Sequence, residues 1–106
     1  MELEELRQTR KRRLKELCGL PGWAFGSLVE TERKQGRKRK PFRYLSRSVR
    51  GRNRITYISE AQVDRLRNAL CSGGKAKKLL DEIADLTVAI IKAETRRKED
   101  ADERTS

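Results

Sequence analysis

A chain of 106 residues has the length of one small domain, and with 35% hydrophobic against 41% charged residues its core must be thin. The net charge of +11 predicts an anionic partner, and no apolar run approaches the roughly 18 residues needed to span a membrane. The opening segment, Met1–Glu5, is acidic and polar, unlike a signal peptide. The composition therefore excludes a membrane-spanning protein and predicts a cytoplasmic, nucleoid-associated one.

Positive charge is concentrated in one central segment. Of the 27 basic residues, eleven lie between Arg33 and Arg54, where no acidic residue occurs, so the remaining 16 balance the 16 acidic residues. Such a block produces a local field that attracts polyanions and accelerates their association. The candidate nucleic-acid-binding residues are Arg33, Lys34, Arg37, Lys38, Arg39, Lys40, Arg43, Arg47, Arg50, Arg52 and Arg54.

Residues 2–18 predict the first helix, because they are good helix formers with one apolar stripe. The stripe consists of Leu3, Leu6, Leu14 and Leu17. Gly19 and the following Pro21 are expected to end this helix.

The middle of the chain predicts three short antiparallel strands, because Val, Ile, Thr, Tyr and Phe are frequent there between Gly and Pro residues. The expected strands are residues 25–33, 42–50 and 54–60. A turn over residues 50–53 would pair Val49 with Arg54, Arg47 with Thr56 and Leu45 with Ile58.

Alternation along these strands separates two faces of the sheet. One face carries Arg43, Arg47, Arg54 and Thr56, and the other carries Phe42, Tyr44, Ile55 and Tyr57. The aromatic face is expected to be the core side. However, Leu45, Val49 and Ile58 fall on the arginine face, which leaves the reverse assignment open.

Residues 60 to about 97 predict a second helix, with Ser59 and Gln62 at the positions of a capping box. At Gly73-Gly74 this helix is expected to bend or to break. Its last apolar stripe is spaced like a coiled-coil seam and predicts a homodimer interface: Leu79, Ile83, Leu86 and Ile90. Packing of this stripe against the protein's own sheet is the alternative. Residues 1–97 would form a single domain, and residues 98–106, which lack apolar anchors, a disordered tail.

The predicted fold is therefore α+β: an N-terminal helix, a three-stranded antiparallel sheet and a long or bent C-terminal helix. The sequence resembles a family of small uncharacterised bacterial and archaeal proteins over roughly residues 10–90, in Gly26–Val29, in the segment PFRYLSRSVRG that begins at Pro41, and in Tyr57. In that family a GSL-type strand and a YLSRSVxG hairpin precede a long, charged helix. The resemblance implies this fold and no activity. Many members carry a small cysteine cluster between the first two strands, where this chain has the basic segment Gln35–Lys40 instead.

Two groups of cations have distinct expected roles. Residues Arg37–Lys40 are expected in a turn, where long side chains reach phosphates, with a merely solvated loop as the alternative. Arg43, Arg47 and Arg54 would form a row on a two-stranded ribbon, which fits the DNA major groove and allows bidentate pairing with guanine. Structural pairing or phosphate contact alone is the alternative for each arginine of this row.

Nothing in the sequence predicts catalysis, a metal site, a cofactor or a small-molecule substrate. The chain has no His, and Cys18 and Cys71 have neither a ligand-like spacing nor an identifiable base.

The favoured function is DNA binding. One alternative is an RNA-binding or ribonucleoprotein subunit, in which Tyr44 and Tyr57 would stack on unpaired bases. The other is a helical adaptor subunit of a mobile-element complex.

Overall fold

The protein has the α+β fold that the sequence predicts. A computed structural model describes residues 2–105, apart from the side chains of Gln35 and of residues 101–105. The elements are helix α1 (Leu3–Gly19), strands β1 (Ser27–Gln35), β2 (Lys38–Val49) and β3 (Arg52–Tyr57), a short 3₁₀ turn (Glu60–Gln62) and helix α2 (Val63–Thr105). The strands form one antiparallel sheet in the order β1-β2-β3.

The chain divides into two compact units, where the sequence predicts one domain. The helical unit consists of the residues up to Leu20 and those from Lys75 onward, and the sheet unit consists of Pro21–Gly74. Helix α2 contributes to both units because it begins at Val63. Within the part of the chain that the structure describes, no helix combines the length and apolar character that crossing a membrane requires.

In the helical unit, α1 packs antiparallel against α2. Leu3 and Leu6, near the start of α1, form a buried core with Ile90 of α2. Further along α1, the guanidinium of Arg13 contacts the carboxylate of Glu82 at 2.8 Å. The apolar core is thus small, as the composition predicts, and exposed ion pairs of this kind add little to its stability.

The predicted dimer seam already has a partner within the chain. Its residues Leu79, Ile83, Leu86 and Ile90 are half-buried or buried. Ile90 is only 3% exposed, and Leu86 packs against the Leu3–Leu6–Ile90 core. Another side of α2 leaves three large apolar residues exposed: Leu80, Val88 and Ile91. Self-association through the predicted seam stays a prediction.

Helix α2 is continuous through Gly73-Gly74, so the predicted alternative of a broken helix is wrong. Gly73 lies against another segment of the sheet unit, where an added Cβ would come within 2.0 Å of the Ala24 carbonyl oxygen. The Ala24 N–H donates to the carbonyl oxygen of Ala69 at 3.0 Å. Close backbone approach therefore explains a glycine in the interior of this helix.

The ends of α2 differ from each other in how well the sequence predicts them. At the start, the Ser59 N–H donates to Gln62 Oε1 at 3.0 Å, as a capping box requires. At the other end the helical backbone continues to Thr105, through residues for which the sequence predicts a disordered tail. Ser106, the last residue of that tail, lies outside the described residues.

The hairpin between β2 and β3 is tighter than predicted. It closes with the two-residue turn Arg50-Gly51 and pairs Val49 with Arg52 instead of Arg54, so the predicted register is wrong by two residues throughout. Both turn residues have positive φ, 53° and 77°, as in the type I′ turns that join antiparallel strands. A shift of two residues leaves every side chain on its predicted face.

The hairpin between β1 and β2 extends beyond the third strand. β3 pairs only with Tyr44–Val49 of β2, whereas β1 pairs with β2 as far as the turn. Residues 30–43 therefore form a two-stranded extension, here called the basic ribbon. Its turn comprises only Gly36 and Arg37, so the prediction that Lys38–Lys40 lie in a turn is wrong: they are the first residues of β2.

Helix α2 approaches the sheet on the face that carries Leu45 and Arg43. On this face Glu30 of β1 forms an ion pair with Arg67 of α2. Burial of the aromatic face, the expected core side, is wrong, because Ile55 is 54% and Tyr57 65% exposed. The other face is not a buried core side either, because Arg47 and Arg54 are exposed there and Leu45 is half-buried, but it is the face that α2 approaches. The face that carries Phe42, Tyr44, Ile55 and Tyr57 is called the open face below.

Adjacent isoleucines of α2 provide a matched test of the helical core. Replacing Ile90 with Ala removes a buried side chain and should lower the free energy of unfolding by about 2–5 kcal/mol. Replacing Ile91, which is 56% exposed, should change it by less than about 0.5 kcal/mol. Urea unfolding monitored by circular dichroism would measure both. Equal effects of the two substitutions would contradict the packing described above.

Adjacent glycines of α2 provide a second matched test. Gly73→Ala should destabilise the protein by about 1–3 kcal/mol, because the new Cβ overlaps the Ala24 backbone. Gly74→Ala meets no neighbouring atom and should stabilise the helix by up to about 1 kcal/mol. Thermal unfolding of the two variants beside the wild type measures the difference. A stabilising Gly73→Ala substitution would show that Ala24 does not lie against this helix.

Candidate nucleic-acid interface

The central cations form two clusters at opposite ends of β2. The ribbon cluster consists of Arg33, Lys34, Arg37, Lys38, Arg39 and Lys40. The tip cluster consists of Arg47, Arg50, Arg52 and Arg54, and a shallow depression at the β2–β3 turn is lined by three of these residues and Val49. Arg43 lies between the clusters and is half-buried. The structure therefore separates residues that the sequence presents as one continuous block.

Cations in both clusters face each other across the strand ladders. In the ribbon cluster Arg33 lies opposite Lys40, and Lys34 lies opposite Arg39. In the tip cluster Arg47 lies opposite Arg54. Directly opposed like charges destabilise an antiparallel pair by a few tenths to about 1 kcal/mol. The free sheet therefore carries a repulsion that a bound polyanion would relieve.

Carboxylates compensate few of these cations. Among the described residues, Arg39 is the only ribbon cation within ion-pair distance of a carboxylate, 3.6 Å from Glu32, and both side chains are exposed. The other acidic residue of the ribbon, Glu30, pairs with Arg67 of α2. The positive field is therefore strongest on the face that carries Arg33, Lys38 and Lys40, because Glu30 and Glu32 lie on the other face with Lys34 and Arg39.

The predicted arginine row is only partly assembled. Arg47 and Arg54 are direct cross-strand neighbours, and both are exposed. Arg43 shares their face but is half-buried opposite Glu30, on the side that α2 approaches. The two exposed arginines form a pair of forks at the hairpin tip, and Arg43 is less accessible to a ligand.

The open face carries an aromatic cluster beside the ribbon cations. The centre of the Phe42 ring lies 5.0 Å from the centre of the Tyr57 ring, in an edge-to-face arrangement, and 5.9 Å from the centre of the Tyr44 ring. The guanidinium carbon of Arg33 lies 4.4 Å from the centre of the Phe42 ring. This cation–π contact fixes one ribbon cation against the aromatic cluster.

One pattern in the sequence indicates which face is open. Lys38 and Lys40 alternate in step with Phe42 and Tyr44, so the cations and the aromatic rings share a face. A face with two lysines in this row is difficult to bury. The pattern is hidden when residues 38–40 are assigned to a turn.

The comparisons with known proteins assign neither a family nor a function to this chain. Models of protein families, curated proteins and solved structures were each compared with the chain, and none matches it. The resemblance of the hairpin motif to a family of small bacterial and archaeal proteins stays an expectation from the sequence. A functional proposal therefore depends on the geometry and charge of the sheet.

Proposed function

We propose that the protein binds duplex DNA through the basic ribbon, whose cations contact phosphates from within or beside a groove. The opposed like charges carry this proposal. Cations that served solubility alone would do so equally well at positions where they do not repel each other. Phosphates placed between Arg33 and Lys40, or between Lys34 and Arg39, would convert that repulsion into attraction.

The dimensions of the ribbon suit a DNA groove. Six residues on each strand give an extension of about 20 Å. The major groove of B-DNA, about 12 Å wide, admits a two-stranded ribbon. Every described side chain from Glu30 to Pro41 is exposed, so no burial restricts contact with phosphates on both walls of the groove.

The tip cluster supplies a second contact in this proposal. The two ends of the twelve-residue strand β2, where the clusters lie, are roughly 35 Å apart, close to one turn of B-DNA. The paired guanidinium groups of Arg47 and Arg54 have the fork geometry that suits phosphate or guanine. Binding at both ends of β2 would orient the sheet along the duplex.

Removing ribbon cations should weaken DNA binding and reduce its salt dependence. The test variant combines Arg37→Gln, Lys38→Gln and Lys40→Gln. Its control combines Lys11→Gln, Lys15→Gln and Lys92→Gln, three exposed positions on the helices, and loses the same charge. Fluorescence anisotropy with a labelled duplex over a salt series should show that the ribbon variant reduces the slope of log K against log salt by about 2–3.

The control distinguishes DNA contact at the ribbon from a general effect of the protein's net charge. We expect its slope to stay within about one of the wild-type value, because its lysines lie outside the ribbon. Equal losses in the two variants would contradict the ribbon as the binding site. A wild-type protein that fails to bind duplex at low salt would contradict the proposed function itself.

A further inference from the structure

The open face combines the exposed ring of Tyr57 and its half-buried neighbours Phe42 and Tyr44 with cations, which is more than phosphate binding requires. We propose that this face binds the unpaired bases of a single-stranded nucleic acid, which stack on Tyr57 and its aromatic neighbours. This inference rests on the proposed function, because the ribbon cations would hold the same strand by its phosphates. It adds a second class of nucleic-acid ligand and an aromatic surface that recognises the bases of that ligand.

The ring of Tyr57 is accessible for stacking. Tyr57 is 65% exposed and lies at the end of β3, and Ile55 beside it is 54% exposed. Phe42 supports Tyr57 from the neighbouring strand at 5.0 Å. Every base offers a π-face, so stacking of this kind tolerates any sequence.

The charge on the open face complements a nucleic-acid strand. Arg33, Lys38 and Lys40 lie on this face, in line with the aromatic cluster. Strand alternation places both acidic residues of the ribbon, Glu30 and Glu32, on the opposite face. The described strands therefore present cations and aromatic rings on one surface without a carboxylate among them.

The same arrangement disfavours the other occupants of an exposed apolar face. A second copy of the chain, stacked face to face on the aromatic cluster, would bring two sets of the same cations together. A protein partner would have to place carboxylates against Lys38 and Lys40 as well as an apolar surface against the rings. A single strand supplies apolar base faces and phosphates in one ligand.

The test compares strands with and without bases. Fluorescence anisotropy would measure binding of a labelled single-stranded DNA, the matching RNA, an abasic strand of the same length and the duplex. Tyr57→Leu keeps an apolar side chain but removes the ring, and Tyr57→Phe keeps the ring. Trp23→Leu is the control at an exposed aromatic residue outside the strands. Circular dichroism confirms that each variant is folded.

We expect Tyr57→Leu to weaken single-strand binding by about 5- to 100-fold. Tyr57→Phe should restore it, and duplex binding should change by less than twofold in every variant. The comparison of RNA with DNA identifies the natural strand and leaves the stacking claim unaffected.

Three results would overturn the inference. One is wild-type affinity in Tyr57→Leu, a second is equal binding of the abasic and normal strands, and the third is a change of oligomeric state in sedimentation of Tyr57→Leu. In each of these cases the proposed function stands as long as the duplex still binds. A wild-type protein that binds neither duplex nor single strands would overturn both proposals.

Discussion

Repulsion between cations that face each other across the strand ladders constrains the whole sheet. Arg33 against Lys40, Lys34 against Arg39 and Arg47 against Arg54 all oppose pairing of the strands on which they lie. Attractive contacts between these pairs must compensate. Phe42 supplies several of them, because its ring contacts Tyr44, Tyr57 and the guanidinium of Arg33.

The position of the aromatic cluster follows from this constraint. The cluster lies in the middle of β2, between the two groups of cations, where β3 ends opposite Tyr44 and the two-stranded ribbon begins. Within the sheet unit, the Glu30–Arg67 ion pair on the opposite face and the hydrogen bond from Ala24 to Ala69 attach the strands and the segment before them to the start of α2. The charged ends of β2 are left exposed, and these ends carry the proposed contacts with nucleic acid.

The two proposals assign different surfaces of one sheet to two forms of nucleic acid. Arg33, Lys38 and Lys40 belong to both surfaces, because they lie on the ribbon and also on the open face. A protein with both activities would suit a junction between paired and unpaired segments. The exposed apolar residues of α2 are independent of both surfaces and remain available for self-association.

Sequence patterns predict the order and type of the elements correctly because these depend on local residue choice. The helix-forming run that contains Leu3 and Leu6, the strand-forming residues of the middle and the capping pair Ser59–Gln62 are all local signals. The fold class and the location of the positive charge follow from them.

The errors arise where the outcome depends on non-local or unusual geometry. The β2–β3 register is wrong because it requires a positive φ at Arg50, which a residue with a long side chain rarely adopts. The expected burial of the aromatic face is wrong because burial depends on where α2 lies, and α2 approaches the other face. The intramolecular use of Ile90 and Leu86 depends in the same way on the docking of α1, which no periodicity within α2 reveals.

Neighbouring arginines on β3 allow the central claim to be measured directly. Arg54 faces Arg47, whereas Arg52 faces Val49, and both are exposed on the same strand and face. At low salt, Arg54→Gln should be more stable to urea than Arg52→Gln by about 0.2–1 kcal/mol, and the difference should shrink as salt screens the repulsion. Both variants should bind duplex DNA more weakly than the wild type. Equal stability of the two at low salt, or undiminished DNA binding by Arg54→Gln, would contradict the account.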